Sequence, residues 1–161
     1  PDDWQDTVDE WLHGTPYERF GRFYAIQRSG FGHIRLFNPR IGATTKINTL
    51  MGWITSSSTD KVSSPWDLDN TVAIAWTPYP KDFNVYDEQD EPLLERVQAK
   101  LGPLRWNEMY AFEPALAMGG LPKLENVAKL DWRVHMSLLR QIQEPHVPFT
   151  DVNVPEALLK P

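Results

Sequence analysis

The sequence predicts an α+β protein in which helices flank an antiparallel sheet, arranged as two closely packed modules. Segments between residues 19 and 55 alternate apolar and polar residues and are separated by turn signals, a pattern typical of antiparallel strands. Other segments repeat apolar residues every three or four positions, which indicates helices. Of the 161 residues, 41% are hydrophobic, and this content is sufficient for a sizeable core.

The chain is predicted to begin with a short helix over residues 3–13. Asp2 or Asp3 can cap its N-terminus, where acidic residues also favour the helix dipole. Gly14 and Pro16 are expected to end it. Its apolar residues recur with helical spacing and form one inward stripe: Trp4, Val8, Trp11 and Leu12.

A meander of antiparallel strands is predicted next, with Ser29–Gly30 as its first turn and residues 38–40 as its second. The four strands are expected at residues 19–28, 32–37, 44–50 and 52–55. In the second strand Ile34 and Leu36 share one face. The other face then carries His33, Arg35 and Phe37.

The middle of the chain is predicted to contain a serine-rich loop at residues 56–64 and a helix at residues 66–76. An exposed acidic segment follows at residues 81–91. Pro92 suits the first turn of a helix that runs to about Leu101. Its buried face is expected to comprise Leu93, Leu94, Val97 and Leu101.

The last third is predicted to contain two strands and a helix. The first strand covers residues 109–112, with a possible extension to Met118 if the chain bends at Pro114, and the second covers residues 124–130. Asp131 is expected to cap a helix over residues 132–143. The inward residues of that helix are predicted to be Val134, Leu138, Leu139 and Ile142. A proline-rich tail occupies residues 145–161.

The sequence contains no pattern that points to catalysis, so we expect no catalytic residue, no metal and no cofactor. Cysteine is absent, which excludes disulfides, thiolate zinc sites and a cysteine nucleophile. Nucleophile-elbow, phosphate-loop and dinucleotide-binding motifs are also absent. Asp131 and His135 are four residues apart on one predicted helix, a spacing that lets two side chains bind one metal ion, but Asp131 is better explained as a helix cap. No apolar run is long enough for a membrane span, and no signal peptide is expected.

Charge is unevenly distributed along the chain. The formal net charge is −6, yet residues 17–50 carry six basic residues and one acid. Residues 82–95 carry six acids and no base. Such an acidic segment beside aromatic residues could imitate a phosphate backbone and fill the basic cleft of a nuclease. An ordinary solvated loop is the alternative. The basic, aromatic strand near residues 19–26 favours a sheet with an Arg-lined face over an RNA-binding surface.

Several longer segments resemble a known family. Residues 101–120 (LGPLRWNEMYAFEPALAMGG) and 125–141 (ENVAKLDWRVHMSLLRQ) resemble the GAD-like family and the domain that follows it in immunity proteins of bacterial type VI secretion systems. Residues 2–12 (DDWQDTVDEWL) and 22–37 (RFYAIQRSGFGHIRLF) look like the end of a GAD-like domain. Residues 86–104 are similar as well. The resemblance as a whole extends to about residue 143.

This resemblance implies a cytoplasmic bacterial antitoxin that binds a secreted toxin and blocks its active site or its access to substrate. Several toxins paired with the family are DNases, so the expected partner is a basic DNase, with no direct contact to nucleic acid or membrane. The implied organisation is a partial GAD-like module at residues 1–60, an immunity C-terminal module at 61–144 and the tail at 145–161. An adaptor module without a toxin and a small hydrolase are the alternatives.

The predicted contacts with the toxin lie in the acidic segment and in the serine-rich loop, because exposed acids beside aromatic residues suit a basic partner. The candidate residues are Asp82, Tyr86, Asp87, Glu88, Asp90 and Glu91, together with Ser57 and Asp60.

Overall fold

Four consecutive strands form an antiparallel meander, and two later strands form a separate hairpin-like sheet. A computed structural model describes residues 2–56 and 84–148. The strands in these two ranges are β1 (Tyr24–Arg28), β2 (Ile34–Asn38), β3 (Gly42–Asn48), β4 (Trp53–Ser56), β5 (Glu108–Phe112) and β6 (Val127–Asp131). The helices within those ranges are α1 (Asp2–Leu12), α2 (Leu94–Leu101) and α3 (Trp132–Ile142). The predicted α+β class is therefore confirmed.

The register of the meander separates an apolar face from a polar face. Ile34 on β2 pairs with Ile47 on β3, and Ile47 pairs with Ile54 on β4. All three isoleucines are buried, since successive side chains of a strand point to opposite faces and this row points to the core. The adjacent row, which begins with Arg35 and Lys46, lies on the opposite face.

Both halves of the described chain contribute to one large apolar cluster. Trp11 of α1 lies beside residues from the meander, from β5 and from α3 in this cluster. The indole N–H of Trp11 donates to the Met136 carbonyl at 3.2 Å. A second cluster surrounds Phe31 and Tyr110 and includes Leu93 and Val97 of the α2 region. The core thus ties α1 to α3, while the boundary predicted at residue 60 stays a prediction.

The first strand is shorter than predicted. Residues 19–23 were expected to be extended, but Pro16–Phe20 form a 3-10 helix and β1 begins only at Tyr24. The hydroxyl of Thr15 caps this 3-10 helix by accepting from the Tyr17 N–H, and Pro16 stands in its first turn. Local capping therefore prevails over the aromatic, strand-like composition of this segment.

The predicted inward face of the last helix is mostly wrong. Val134 is 70% exposed, and Leu138 and Ile142 are exposed as well. Only Leu139 of the predicted set is buried, and the inward face is completed by Trp132, His135 and Met136. The helix is rotated so that this face packs on α1. The predicted cap is confirmed, since the Asp131 carboxylate accepts from the N–H groups of residues 133 and 134.

Three further boundaries differ from the prediction. Helix α2 begins at Leu94, because Pro92 instead forms an isolated bridge with Tyr86 before the helix. Strand β5 ends at Phe112 and does not reach Met118, since residues 116–118 form a 3-10 helix. Residues 124–126 form another 3-10 helix, so β6 begins at Val127.

The predicted loop at residues 56–64 begins one residue too early, since Ser56 ends β4. The rest of that loop, the predicted helix at residues 66–76 and the tail beyond residue 148 lie outside the described residues. Within the described ranges, no helix combines the length and apolarity needed to cross a bilayer.

Candidate functional site

The acidic segment forms a tight turn that is anchored on both sides to the second apolar cluster. The Leu93 N–H donates to the Val85 carbonyl at 2.8 Å, and both side chains are buried. Within the turn, the Asp87 N–H donates to the Glu91 carbonyl at 3.0 Å. The apolar anchors at its base hold residues 86–92 outward as a defined projection.

Asp87 is a structural residue of this turn. One of its carboxylate oxygens accepts from the N–H groups of Gln89 and Glu91, each at 3.0 Å, and the other accepts from Arg96. Its side chain is only 4% exposed. The Arg96 guanidinium, with the hydrogen bond from the Glu91 N–H, lowers the pKa of Asp87. Because all these partners lie within the chain, Asp87 is poorly placed to contact another protein.

Glu88 also has a partner within the chain. Its carboxylate lies 3.1 Å from the Lys123 ammonium, and both side chains are partly exposed. The two residues line a shallow groove together with Arg96. An exposed pair of this kind contributes little to stability, so Glu88 can exchange Lys123 for a cation on another molecule.

Asp90, Glu91 and Tyr86 form the outer rim of the turn, which we call the acidic rim. All three are exposed, and Tyr86 has 39% of its surface accessible. Asp90 adopts a positive φ of 62°, which Asp tolerates better than most residues and which makes it part of the turn tip. Within residues 2–56 and 84–148, neither Asp90 nor Glu91 has an ion-pair partner. Among the described members of the predicted site, the rim therefore carries the acids that lack an ion-pair partner.

The remaining predicted contacts, Ser57, Asp60 and Asp82, lie outside the described residues. The role of the whole predicted set in partner binding stays a prediction. Of the described members, the acidic rim and Glu88 are exposed, whereas the Asp87 carboxylate is bonded within the turn and to Arg96.

The histidines do not form a reactive cluster. His135 is 5% exposed, and burial lowers its pKa. The Asp131 carboxylate, four residues earlier, caps the helix. Over the described ranges, no group of three or more potential ligands could hold a metal ion. The geometry around Asp131 and His135 therefore gives no observation in favour of the small-hydrolase alternative.

A layer of aromatic rings around Arg28 was not predicted. The Arg28 guanidinium lies 5.2 Å from the Trp4 ring centroid and 4.7 Å from that of Trp132. Trp106 stacks on Trp4 with ring centroids 5.0 Å apart, yet remains 57% exposed. Trp106 comes just before β5 in sequence, and only tertiary packing brings it to α1. The seven tryptophans of the sequence indicate large buried or interface areas, but they do not indicate which of these rings pack together.

Two family models match the chain. Residues 79–143 match the model described as "T6SS immunity protein Tdi1, C-terminal", where T6SS is the type VI secretion system. Residues 1–51 match the model described as "GAD-like domain". The acidic turn, α2, β5, β6 and α3 all lie within the first match. The two matches together support a type VI secretion system immunity protein.

A solved structure is similar over most of the chain. The crystal structure of Atu4351 from Agrobacterium tumefaciens has 25% sequence identity and a TM-score of 0.72. The alignment covers 88% of this chain but 64% of that chain, so this chain spans less than two thirds of its length. No curated protein is significantly similar in sequence.

Proposed function

We propose that this chain is an immunity protein of a type VI secretion system that acts in the bacterial cytoplasm by binding a cognate effector and blocking it, and that the effector is a nuclease. The observation that carries the proposal is the match of residues 79–143 to an immunity-protein family. The matched region contains the acidic turn, which is the projection best suited to a basic partner.

The acidic rim supports a nuclease as the partner. A nuclease presents a basic cleft to the phosphate backbone, and exposed carboxylates beside an aromatic ring suit that surface. Asp90 and Glu91 supply the carboxylates and Tyr86 supplies the ring. Their fixed position on an anchored turn reduces the ordering cost of binding. Inhibition then follows from occupying the cleft, with no chemical step by the immunity protein.

The proposal is tested with the protein encoded by the neighbouring open reading frame. Expression of that protein alone is expected to arrest growth and degrade DNA, and co-expression with this chain is expected to restore growth. Purified chain should inhibit the nuclease at a one-to-one ratio. Growth arrest that this chain does not relieve, despite soluble expression of both proteins, would contradict the proposal.

An adaptor module without a toxin is the second candidate, because the same scaffold can present a binding surface for another purpose. The two candidates differ in one outcome. An adaptor would bind its neighbour without suppressing any toxicity, whereas an immunity protein must suppress it.

A further inference from the structure

The segment between β5 and β6 exposes two apolar side chains near the acidic turn. This segment comprises residues 115–125, and we call it the glycine loop. Met118 is 63% exposed and Leu121 is 47% exposed. Leu116 and Leu124, near the two ends of the loop, pack instead against the second apolar cluster. Because the same cluster holds the base of the acidic turn, the two segments share one apolar anchor.

A shallow groove separates the glycine loop from the acidic turn, and both segments line it. The cations in this groove are paired with acids of the turn, Arg96 with Asp87 and Lys123 with Glu88. Glu125 is an exposed acid on the loop side of the groove. The glycine loop therefore lies directly beside the acidic turn, on a surface where acids outnumber bases.

Hydrogen bonds within the chain fix the conformation of the glycine loop. The N–H groups of Met118 and Gly120 both donate to the Ala115 carbonyl, at 2.8 and 3.1 Å. The side-chain amide of Asn126 donates to the Leu121 carbonyl at 3.1 Å. The two exposed apolar side chains are thus attached to an ordered backbone, which lowers the entropy cost of binding through them.

This combination of charge and apolar exposure favours another protein as the occupant. Single exposed apolar residues are common on protein surfaces, so exposure alone indicates little. Here two of them lie beside an acidic surface, and an apolar centre with a polar rim is typical of protein interfaces, where Met is also enriched. The neighbouring acids disfavour nucleic acids and anionic membranes. The surface therefore fits a protein that presents an apolar recess beside basic residues.

We propose that Met118 and Leu121 insert into an apolar recess of the effector, next to the basic surface that the acidic rim contacts. The inference rests on the proposed function, since it takes the effector to be the occupant. It adds an apolar contact to charge complementarity. The rim then mainly speeds association, whereas the glycine loop mainly slows dissociation.

The test measures binding of the neighbouring effector by calorimetry. Met118→Gln keeps the length of the side chain but makes it polar, and it should raise the dissociation constant about tenfold. Leu121→Gln should change it in the same direction. Met51→Gln is the matched control, because Met51 is 51% exposed on the turn before β4, outside the glycine loop, and it should leave the constant unchanged. Equal loss in Met118→Gln and Met51→Gln would contradict a specific contact by the loop.

The salt dependence of affinity separates a direct apolar contact from a disturbance of the acidic turn. The loss caused by Met118→Gln should be the same factor at low and at high salt, because salt screens charges and not apolar contacts. The loss caused by Asp90→Asn with Glu91→Gln should instead shrink as the salt concentration rises. A Met118→Gln loss that shrinks in the same way would mean that the substitution acts through the rim, and it would overturn the inference.

The remaining outcomes distinguish this inference from the proposed function. Wild-type affinity in both Met118→Gln and Leu121→Gln would overturn the inference alone. If the neighbouring protein does not bind the wild type, the proposed function fails and the inference fails with it. Sedimentation should show the same oligomeric state with and without Met118→Gln. A wild-type dimer that this substitution dissociates would assign the loop to a second copy of the chain and overturn the inference. Thermal melts check that the variants are folded, as expected for exposed positions.

Discussion

At the scale of single residues, neighbouring carboxylates of the same loop have different tasks. Asp87 accepts two backbone N–H groups and Arg96, whereas Asp90 and Glu91 remain on the exposed rim. Composition cannot separate them, because the difference arises from where the backbone directs each side chain. A binding experiment that reverses all of these charges together would therefore combine loss of contact with loss of the turn.

We expect Asp87→Asn to lower the thermal midpoint at neutral pH, because Arg96 and the turn N–H groups lose the charge that they bind. The folded-state pKa of Asp87 lies below its ordinary value of 3.8. Its stabilisation is therefore present above that value and is lost as the pH falls through the folded-state pKa. Thermal melts from neutral to acidic pH check this. A variant as acid-sensitive as the wild type would contradict the assignment.

Gly120 is predicted to be intolerant of even a methyl group. A Cβ built on Gly120 would lie 1.9 Å from the carbonyl oxygen of Pro114. Because a backbone atom must move to make room, Gly120→Ala should reduce the free energy of unfolding by about 1–3 kcal/mol. Ala117→Ser in the same segment is exposed and should change it by less than about 0.5 kcal/mol. Urea denaturation measures both, and equal stabilities would contradict the close approach.

At the scale of elements, periodicity predicted the presence of helices and strands more accurately than it predicted which of their faces is buried. The meander and its turns were predictable because alternation and turn residues are local signals. The orientation of α3 was not, since its sequence offers two apolar stripes with helical spacing. One stripe contains Leu138, and the other contains Leu139 and Trp132. Packing on α1 selects the second, and that choice depends on residues more than 100 positions away.

The orientation of α3 predicts opposite results for two adjacent leucines. Leu139 is 2% exposed and lies in the main apolar cluster, so Leu139→Ala should cost about 2–5 kcal/mol of unfolding free energy. Leu138 is 45% exposed, so Leu138→Ala should cost less than about 0.5 kcal/mol. Chemical denaturation of the two variants measures both losses of unfolding free energy. Equal destabilisation would restore the face that periodicity alone predicted.

The candidate site was partly predictable for the same reason. The acidic segment is visible as a run of acids beside aromatic residues. The separate role of Asp87 is not visible, since it depends on the hydrogen bonds that its carboxylate accepts within the folded turn and from Arg96. The layer formed by Trp4, Arg28 and Trp106 likewise depends on contacts between distant segments.

At the scale of the whole molecule, the net charge of −6 conceals an uneven distribution of charge along the chain. The acidic rim lies in the region that matches an immunity-protein family, and the basic stretch at residues 17–50 lies in the region that matches a GAD-like domain. If the acidic rim contacts the effector, the complex should weaken as salt screens the exposed charges. Affinity that does not change with ionic strength would contradict charge complementarity as the basis of binding.

The most direct test of the central claim is the binding affinity of the neighbouring effector for charge-neutral variants of the acidic rim. Asp90→Asn with Glu91→Gln keeps the shape of the rim and a residue that tolerates positive φ, and Asp6→Asn with Glu144→Gln removes two exposed charges elsewhere. Calorimetry should give a dissociation constant at least about tenfold higher for the rim variant than for the wild type. The control variant should keep the wild-type constant. Wild-type affinity in the rim variant would contradict the claim that this surface blocks the effector.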